Sequence, residues 1–240
     1  MSLPAVGFAH SWLSGAGNYA DTLQHLASWG IVAAAPDTER GPMPSHVGLA
    51  TDLLTVLDVC TGVRLGGGDI SVHPNRVAVA GDGMGAGVAV LAAAKNSDIA
   101  AVGALFPAVV SPSAEAVAPR VSAPGLVLTG STVDKSAKAL AAAWGGDCAL
   151  RTVGAADADG GLAEGRRLMK VLGVSAANRK AQVLSRALLT GFLLYVLTED
   201  KKYKAFADDD LPKAALADPL AEEPPKKTSP VGQISQLLRR

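Results

Sequence analysis

The stretch from Arg76 to Ala94 is the feature that most restricts how this chain folds. A β-branched run, Val77 to Val79, reaches a series of closely spaced glycines, and an alanine-rich run follows directly. β-Branched residues favour strands, glycines permit sharp turns, and alanines favour helices. The sequence therefore predicts a strand, a sharp turn and a helix in immediate succession.

Short apolar runs bounded by glycine or proline recur along the rest of the chain, with segments of helical periodicity between them. This alternation is typical of α/β proteins in which crossover helices join parallel strands. Besides the strand at Val77 to Val79, strands are predicted at residues 3–9, 31–35, 99–106, 125–129 and 148–153. Helices are predicted at residues 19–29, 47–59, 136–144, 161–172 and 178–204. Residues 64–74 are predicted to be a glycine-rich connection.

The overall composition indicates one globular domain, which we place at residues 1–207. The chain has 240 residues, of which 49% are apolar, and its 22 basic side chains are balanced by 22 acidic ones. Such a chain is long enough to bury a proper core. The balanced charge gives no reason to expect nucleic acid or an anionic membrane as a partner.

The two cysteines and the apolar stretches indicate in which cellular compartment we expect this protein. Cys60 and Cys148 lack metal-ligand spacing, which predicts two buried thiols in a reducing compartment. No apolar leader is recognisable, so we expect a cytoplasmic protein, with an organelle interior such as the plastid stroma as the alternative if a transit peptide has been removed. The longest apolar stretch, residues 187–197, is too short to span a membrane and predicts a buried helix.

From residue 208 onward the composition changes. Five prolines interrupt a charged stretch that has too few apolar residues for a core, so residues 208–240 are predicted to form a tail that ends in a short helix. Ile234, Leu237 and Leu238 of that helix are expected to dock on a protein partner or a second subunit. Apolar residues on most faces of the predicted 178–204 helix offer a second contact surface.

Five segments carry a resemblance to a known family: PAVGFAH at 4–10, LASWGIVAAAPD at 26–37, VHPNRVAVAG at 72–81, MG at 84–85 and FLLYVLTEDKKYKAF at 192–206. They resemble the α/β-hydrolase fold, within which the chain is most similar to dienelactone hydrolases and bacterial cutinases or polyester hydrolases. The similarity covers residues 3–207 and lacks the family's opening β-hairpin. It implies a mostly parallel sheet of about six strands with helices on both faces.

The family's catalytic triad is a serine on the sharp turn, an acid after a later strand and a histidine after the last strand. The resemblance places Gly83 at the serine position, Asp134 at the acid position and Asp157 at the histidine position. All four histidines of the chain lie at or before His73. Because a catalytic serine needs an imidazole to accept its proton, the resemblance implies a hydrolase frame without its catalytic machinery.

The resemblance also implies where a ligand would be held. The backbone N–H groups of Trp12 and Met84 would form the oxyanion hole, and such donors can persist when the catalytic side chains are lost. Together with His10 and Ser11 they outline a pocket for a small apolar carbonyl or carboxylate ligand. The alternatives are that Trp12 only packs over the end of the sheet and that His10 is structural.

The glycines also fit a second pattern, Gly81-x-Gly83-x-x-Ala86, which is the dinucleotide-binding fingerprint. That fingerprint brings an acidic residue about 20 positions later, at the end of the next strand. The segment Ala104 to Val110 contains no acid. Two predicted strands also precede the pattern, which normally follows the first strand. A dinucleotide-binding protein is therefore the weaker alternative.

Asp134 and Asp157 would be two carboxylates where the family has an acid and a histidine. They would repel each other, so that one would tend to hold a proton. Such a pair suits general acid/base chemistry, but without a third ligand it makes a weak metal site. Asp82 is expected to lie away from the pocket. We predict a pseudoenzyme with neither metal nor cofactor that works by binding, and the alternative is a hydrolase or lyase of non-triad chemistry on the same fold.

Overall fold

A six-stranded open sheet forms the centre of the computed structural model, which describes residues 1–130, 134–154, 161–163 and 178–207. Its strands are β1 Ser2–Ala9, β2 Val32–Ala34, β3 Ser71–Asp82, β4 Ala101–Leu105, β5 Gly125–Thr129 and β6 Cys148–Thr152. Their order is β2-β1-β3-β4-β5-β6, and every neighbouring pair is parallel. The predicted α/β class with a parallel sheet of about six strands is confirmed.

Helices cover both faces of this sheet, as predicted. They are α1 Ala20–Ser28, α2 His46–Gly62, α3 Met84–Ala93, α4 Ala114–Val117, α5 Lys135–Ala142 and α6 Arg179–Thr198. Shorter 3-10 helices are Ala16–Tyr19, Gly66–Gly68, Ala118–Arg120 and Lys201–Phe206. One hydrophobic cluster contains buried residues of α2, α3, α4 and α5, and a second cluster on the opposite face contains those of α1 and α6.

The central strands are buried on both faces, which explains why their sequences are continuously apolar. In β3, Val77 and Val79 belong to the first cluster, whereas Ala78 and Ala80 belong to the second. Successive side chains of a strand point to opposite faces, so a strand with a helix layer on each side has no polar face. The helix α3 is likewise buried along its whole length.

The strand β3 extends beyond its β-branched run. Ser71 and Val72 pair with Ser2 and Leu3 of β1, and the register then shifts before Ala5. The prediction that residues 64–74 form a connection is therefore wrong from Ser71 onward. The beginning of β1 supplies the partner for this segment, and a glycine-rich local sequence does not reveal a partner so far away in the chain.

The predicted 178–204 helix is divided in two. The helix α6 ends at Thr198, because Glu199 adopts a left-handed conformation with φ 58° and ψ 21°. The side chain of Asp200 then accepts a hydrogen bond from the Lys202 N–H and caps the 3-10 helix Lys201–Phe206. That segment folds back on α6, so part of the apolar surface that we predicted for a partner is covered within the chain.

The helix α6 also bears on the question of a membrane. By length and composition alone it could cross a bilayer, but 61% of its most apolar window is buried inside the structure. Buried residues such as Leu189 and Phe192 pack in the cluster that lies against the sheet. Among the described residues it is the one helix that meets the length and composition test, and it packs as the predicted core helix.

Two further predictions have mixed outcomes. The helix predicted over 161–172 is absent at residues 161–163, where the Leu162 N–H donates to Asp82 Oδ2 and the Leu162 carbonyl accepts from Gln182 Nε2. The rest of that helix lies outside the described residues.

Both cysteines are free; Cys60 is buried as predicted, whereas Cys148 is only half-buried. The tail 208–240, with Ile234, Leu237 and Leu238, also lies outside the described residues.

Candidate functional site

The candidate site lies where β1 and β3 end side by side, because the chain leaves these neighbouring strands towards opposite faces of the sheet. After β1 it leads to α1, which packs with α6 on one face. After β3 it leads to α3 on the other face. In open α/β sheets such a reversal leaves a crevice at the carboxyl ends of the two strands, and ligands bind there. In this chain, the position that the rule assigns to the crevice lies between the residues that follow Ala9 and those that follow Asp82.

The turn after β3 has the sharp geometry that the sequence predicts. Gly83 has φ 59° and ψ −116°, a backbone conformation that is costly for any residue with a β-carbon. Its N–H donates to the Leu105 carbonyl over 2.9 Å, and its carbonyl accepts from the Ala108 N–H over 3.0 Å. The neighbouring strand and loop therefore fix this conformation, and glycine allows it without strain.

The glycines on either side of the turn are required by packing. A β-carbon on Gly81 would collide with the carbonyl of Gly85, and a β-carbon on Gly85 would collide with the carbonyl of Ala9. The glycines let α3 approach the ends of β1 and β3 closely. This close approach accounts for the spacing of Gly81 and Gly83 without a dinucleotide, so the dinucleotide alternative gains no support from their positions.

Ser11 stands where a side chain on residue 83 would have to stand. A β-carbon built on Gly83 lies 2.5 Å from the hydroxyl oxygen of Ser11 and 3.3 Å from its β-carbon. Both residues are half-buried at the crevice. A hydroxyl group is thus present at the turn, but it comes from the loop after β1 and not from the turn itself.

The predicted oxyanion-hole donors adjoin this contact. Trp12 follows Ser11, and Met84 follows Gly83 as the first residue of α3. The N–H groups of a first helical turn have no partner within the helix and carry the positive end of the helix dipole. A carbonyl oxygen or a carboxylate is therefore favoured at this end of α3. Whether the two N–H groups act together as an oxyanion hole stays a prediction.

His10 is fully buried, and both of its ring nitrogens face the backbone. Its Nε2 lies 2.7 Å from the carbonyl oxygen of Thr38, and its Nδ1 lies 2.9 Å from the carbonyl oxygen of Ser11. These contacts tie the loop after β1 to the loop after β2. The imidazole therefore holds the crevice together, and it is not presented to the Ser11 hydroxyl as a proton acceptor.

A buried polar pair lies behind the crevice. The Tyr19 hydroxyl donates to Asp82 Oδ2 over 2.9 Å and accepts from the Ser11 N–H over 3.0 Å. Asp82 Oδ2 also accepts from the Leu162 N–H over 3.0 Å. Burial and the nearby Asp82 charge raise the pKa of Tyr19 well above its usual value. Asp82 is buried, and its position away from the pocket stays a prediction.

The two predicted acidic positions have different outcomes. Asp134 is exposed and precedes α5 as its N-cap residue, and its backbone N–H donates to the Thr129 hydroxyl over 3.2 Å. Asp157 lies outside the described residues, so their predicted pairing stays a prediction. Within the part of the chain that the structure describes, no three His, Cys, Asp or Glu side chains converge on a point where a metal ion could bind.

Three exposed apolar side chains belong to the loops that meet at the turn. Trp12 is 45% exposed and its indole N–H donates to the Pro42 carbonyl over 3.0 Å; Met43, the next residue after Pro42, is 92% exposed. Val109 is 88% exposed and follows Ala108, the residue bonded to the turn. Trp12 forms one of the contacts that connect the loops around the turn, and Met43 and Val109 each follow a residue that forms one. We call Trp12, Met43 and Val109 the apolar rim.

Sequence reasoning identified the turn, Ser11 and Trp12 but missed the Tyr19–Asp82 pair, Met43 and Val109. Met43 and Val109 lie in irregular loops, where no periodicity marks a residue as exposed. The pairing of Tyr19 with Asp82 joins residues 63 positions apart. Comparison of the sequence with models of known protein families and with curated proteins finds no match.

Proposed function

We propose that this chain is a catalytically degenerate relative of the α/β-hydrolases, resembling the dienelactone hydrolase and cutinase branch, that binds a ligand at the crevice without hydrolysing it. The observation that carries the proposal is the contact between Ser11 and the vacant side-chain position of Gly83. A serine hydrolase needs a nucleophile at that position. Here the Ser11 hydroxyl occupies the space of a β-carbon on residue 83, so glycine is the residue that fits.

The remaining hydroxyl at the turn does not restore catalysis. A serine attacks a carbonyl only when a base accepts its proton. Within the described residues, neither an imidazole nor a carboxylate accepts a hydrogen bond from the Ser11 hydroxyl. All histidines of the sequence lie at or before His73. The nearest of them along the chain, His10, is engaged with backbone carbonyls.

The crevice retains the features of a binding site. It lies at the reversal of strand order, where ligands of open α/β sheets bind. The apolar rim offers Trp12, Met43 and Val109 to an apolar ligand, and the start of α3 favours a carbonyl or carboxylate oxygen. A small apolar carbonyl compound matches both parts of this surface.

Absence of hydrolysis is the first test. The purified protein should not hydrolyse p-nitrophenyl butyrate faster than a heat-denatured sample, and it should not react with a fluorophosphonate. Turnover that persists through purification to homogeneity and disappears in Asp134→Ala would overturn the proposal. That result would instead support the alternative, an enzyme of non-triad chemistry that uses Asp134.

Ligand binding is the second test, and the three tryptophans provide the readout. Octan-2-one, an apolar carbonyl compound that cannot be hydrolysed, should shift the indole ¹⁵N–H resonance of Trp12 in a titration followed by NMR. The indole of Trp144 is buried and donates to the Ala123 carbonyl over 2.9 Å, so its resonance should stay fixed and serve as the internal control. An unmoved Trp12 resonance at saturating ketone would contradict binding at the crevice.

A further inference from the structure

A separate cleft of about 640 Å³ lies at the other end of the sheet. Its floor includes Gly125 and Cys148, the first residues of β5 and β6, together with Pro124 and Asp147, which precede them. The turn at Gly83 lies at the carboxyl ends of the strands, so the cleft is distinct from the crevice. Its volume falls within the range of about 300–1,000 Å³ that is usual for small-molecule sites.

One wall of the cleft is a single face of α6, continued by its C-cap residue. Phe192, Tyr195, Val196 and Glu199 line it, at the spacing that places residues on the same side of a helix. Phe192 is buried, whereas Tyr195 and Val196 are half-buried and present their apolar surface to the cleft. This wall can receive the apolar body of a ligand.

A second group of lining residues comes from one face of the 3-10 helix Lys201–Phe206 and from the residue after it. Lys201, Lys204 and Ala207 line the cleft at intervals of three residues, which is one full turn of a 3-10 helix. The segment is held in place by Phe206, whose ring occupies the space that a β-carbon on Gly191 would take. The two lysines therefore stand one above the other on the same face of this helix.

The charges of these lysines are not neutralised by contact. Within the described residues neither Lys201 nor Lys204 forms an ion pair, whereas Lys202, on another face of the same helix, pairs with Asp200 over 3.0 Å. Asp147 and Glu199 also line the cleft, but neither lies within ion-pair distance of the two lysines. Two like charges a turn apart repel each other, and an anion between them would relieve that repulsion.

We propose that this cleft binds a medium-chain organic carboxylate. The carboxylate lies between Lys201 and Lys204, which donate charge-assisted hydrogen bonds to it. The aliphatic body packs on Tyr195 and Val196 of α6. This site goes beyond the ligand binding proposed for the crevice. It lies at the opposite end of the sheet, and it binds a charged carboxylate, whereas the crevice is proposed to bind a neutral carbonyl compound.

Isothermal titration calorimetry with three matched probes tests the chemistry of this site. Decanoate, decan-1-ol and decylamine share the same chain length and differ in the charge of the head group. Decanoate should bind at least about tenfold more tightly than decan-1-ol, as expected for a charge-assisted contact of moderate strength. Decylamine binding as tightly as decanoate would overturn the proposal, because Asp147 and Glu199 would then dominate the cleft.

Variants locate the binding. The double variant Lys201→Gln/Lys204→Gln should lose the preference for decanoate over decan-1-ol, and Val196→Trp should weaken both probes by filling the cleft. Lys202→Gln is the matched control, since this lysine pairs with Asp200, and it should keep the parent affinity. Retention of full decanoate affinity in the double variant would overturn the proposal. A shift of the Trp12 indole resonance would report decanoate at the crevice, whereas a loss of affinity in the double variant reports the cleft, so the two outcomes are distinguished.

Discussion

The phenol of Tyr19 donates a hydrogen bond of 2.9 Å to the carboxylate of Asp82, and both side chains are buried. Tyr19 belongs to the segment after β1, and Asp82 is the last residue of β3, so the bond joins the two chain segments that form the crevice. Because Tyr19 also accepts the Ser11 N–H, the position of Ser11 over the turn depends on this pair. The polar pair therefore positions the site from the buried side of the turn.

Replacing Tyr19 with phenylalanine should destabilise the protein by about 1–3 kcal/mol at pH 7, because a buried carboxylate and a half-buried N–H each lose a partner. The difference should shrink with rising pH. The pKa of Tyr19 is raised in the folded state, so its contribution to stability is complete below the unfolded pKa of about 10 and falls above it. Urea unfolding at pH 7 and at pH 10.5 measures both effects.

The matched control for that variant is Tyr195→Phe, because the described residues provide no hydrogen-bond partner for the Tyr195 hydroxyl. It should change the free energy of unfolding by less than about 0.5 kcal/mol at either pH. A gap between Tyr19→Phe and the parent that widens above pH 10 would contradict the raised pKa.

Replacing Gly83 with alanine should destabilise the protein by about 1–3 kcal/mol, since the new β-carbon is strained and collides with the Ser11 hydroxyl. Adding Ser11→Ala should recover part of the loss, because the hydroxyl at 2.5 Å is then removed while the backbone strain remains. Gly41→Ala is the control, as no atom lies within 4 Å of its β-carbon position and its φ is not positive. A Gly83→Ala or Gly83→Ser variant more stable than the parent would refute the strained turn.

Replacing Gly191 with alanine should push Phe206 and its 3-10 helix away from α6. A cost of about 1–3 kcal/mol is expected for overpacking, measured by urea unfolding. Gly62→Ala, in the last turn of α2 with open space around the β-carbon position, should instead stabilise the protein by about 0.4–1 kcal/mol. Equal effects of the two variants would show that Phe206 does not occupy the position next to Gly191.

Deleting residues 208–240 should leave the melting temperature within a few degrees of the full chain, because that stretch has too few apolar residues to contribute to a core. Scanning calorimetry of the two purified proteins measures the difference. If the docking prediction for Ile234, Leu237 and Leu238 holds, the deletion should abolish association and spare the fold. A large loss of thermal stability in the isolated truncated protein would contradict this.

The sheet could be predicted because its central strands are buried on both faces and its apolar runs are bounded by glycine or proline. Gly125–Thr129 has the predicted bounds, and five other strands were predicted at overlapping positions. What local patterns did not reveal were contacts between distant residues. Pairing with Ser2 makes Ser71 a strand residue, and the bonds of Leu162 to Asp82 and Gln182 replace a predicted helix.

Only part of the candidate site could be predicted, because only part of it is formed by consecutive residues. The glycine turn is encoded in consecutive residues, so the sequence alone locates it at Gly83. The obstruction by Ser11 and the two lysines of the cleft depend on how separate segments meet. The end of α6 before Glu199 could not be predicted either, because the local sequence gives no strong signal for a glutamate in the left-handed conformation.

The hydrogen bond from the Leu162 N–H to Asp82 ties the C-terminal part of the domain to the central strand of the sheet. All six strands are complete by Thr152, yet a fragment ending there would lack this donor to the buried carboxylate at the centre of the sheet. It would also lack α6, which covers one face. Closing a loop of 80 residues carries an entropic cost that the fragment avoids. We therefore expect a fragment that ends at Thr152 to be less stable than residues 1–207, because the burial of α6 contributes more than the closure of one loop costs.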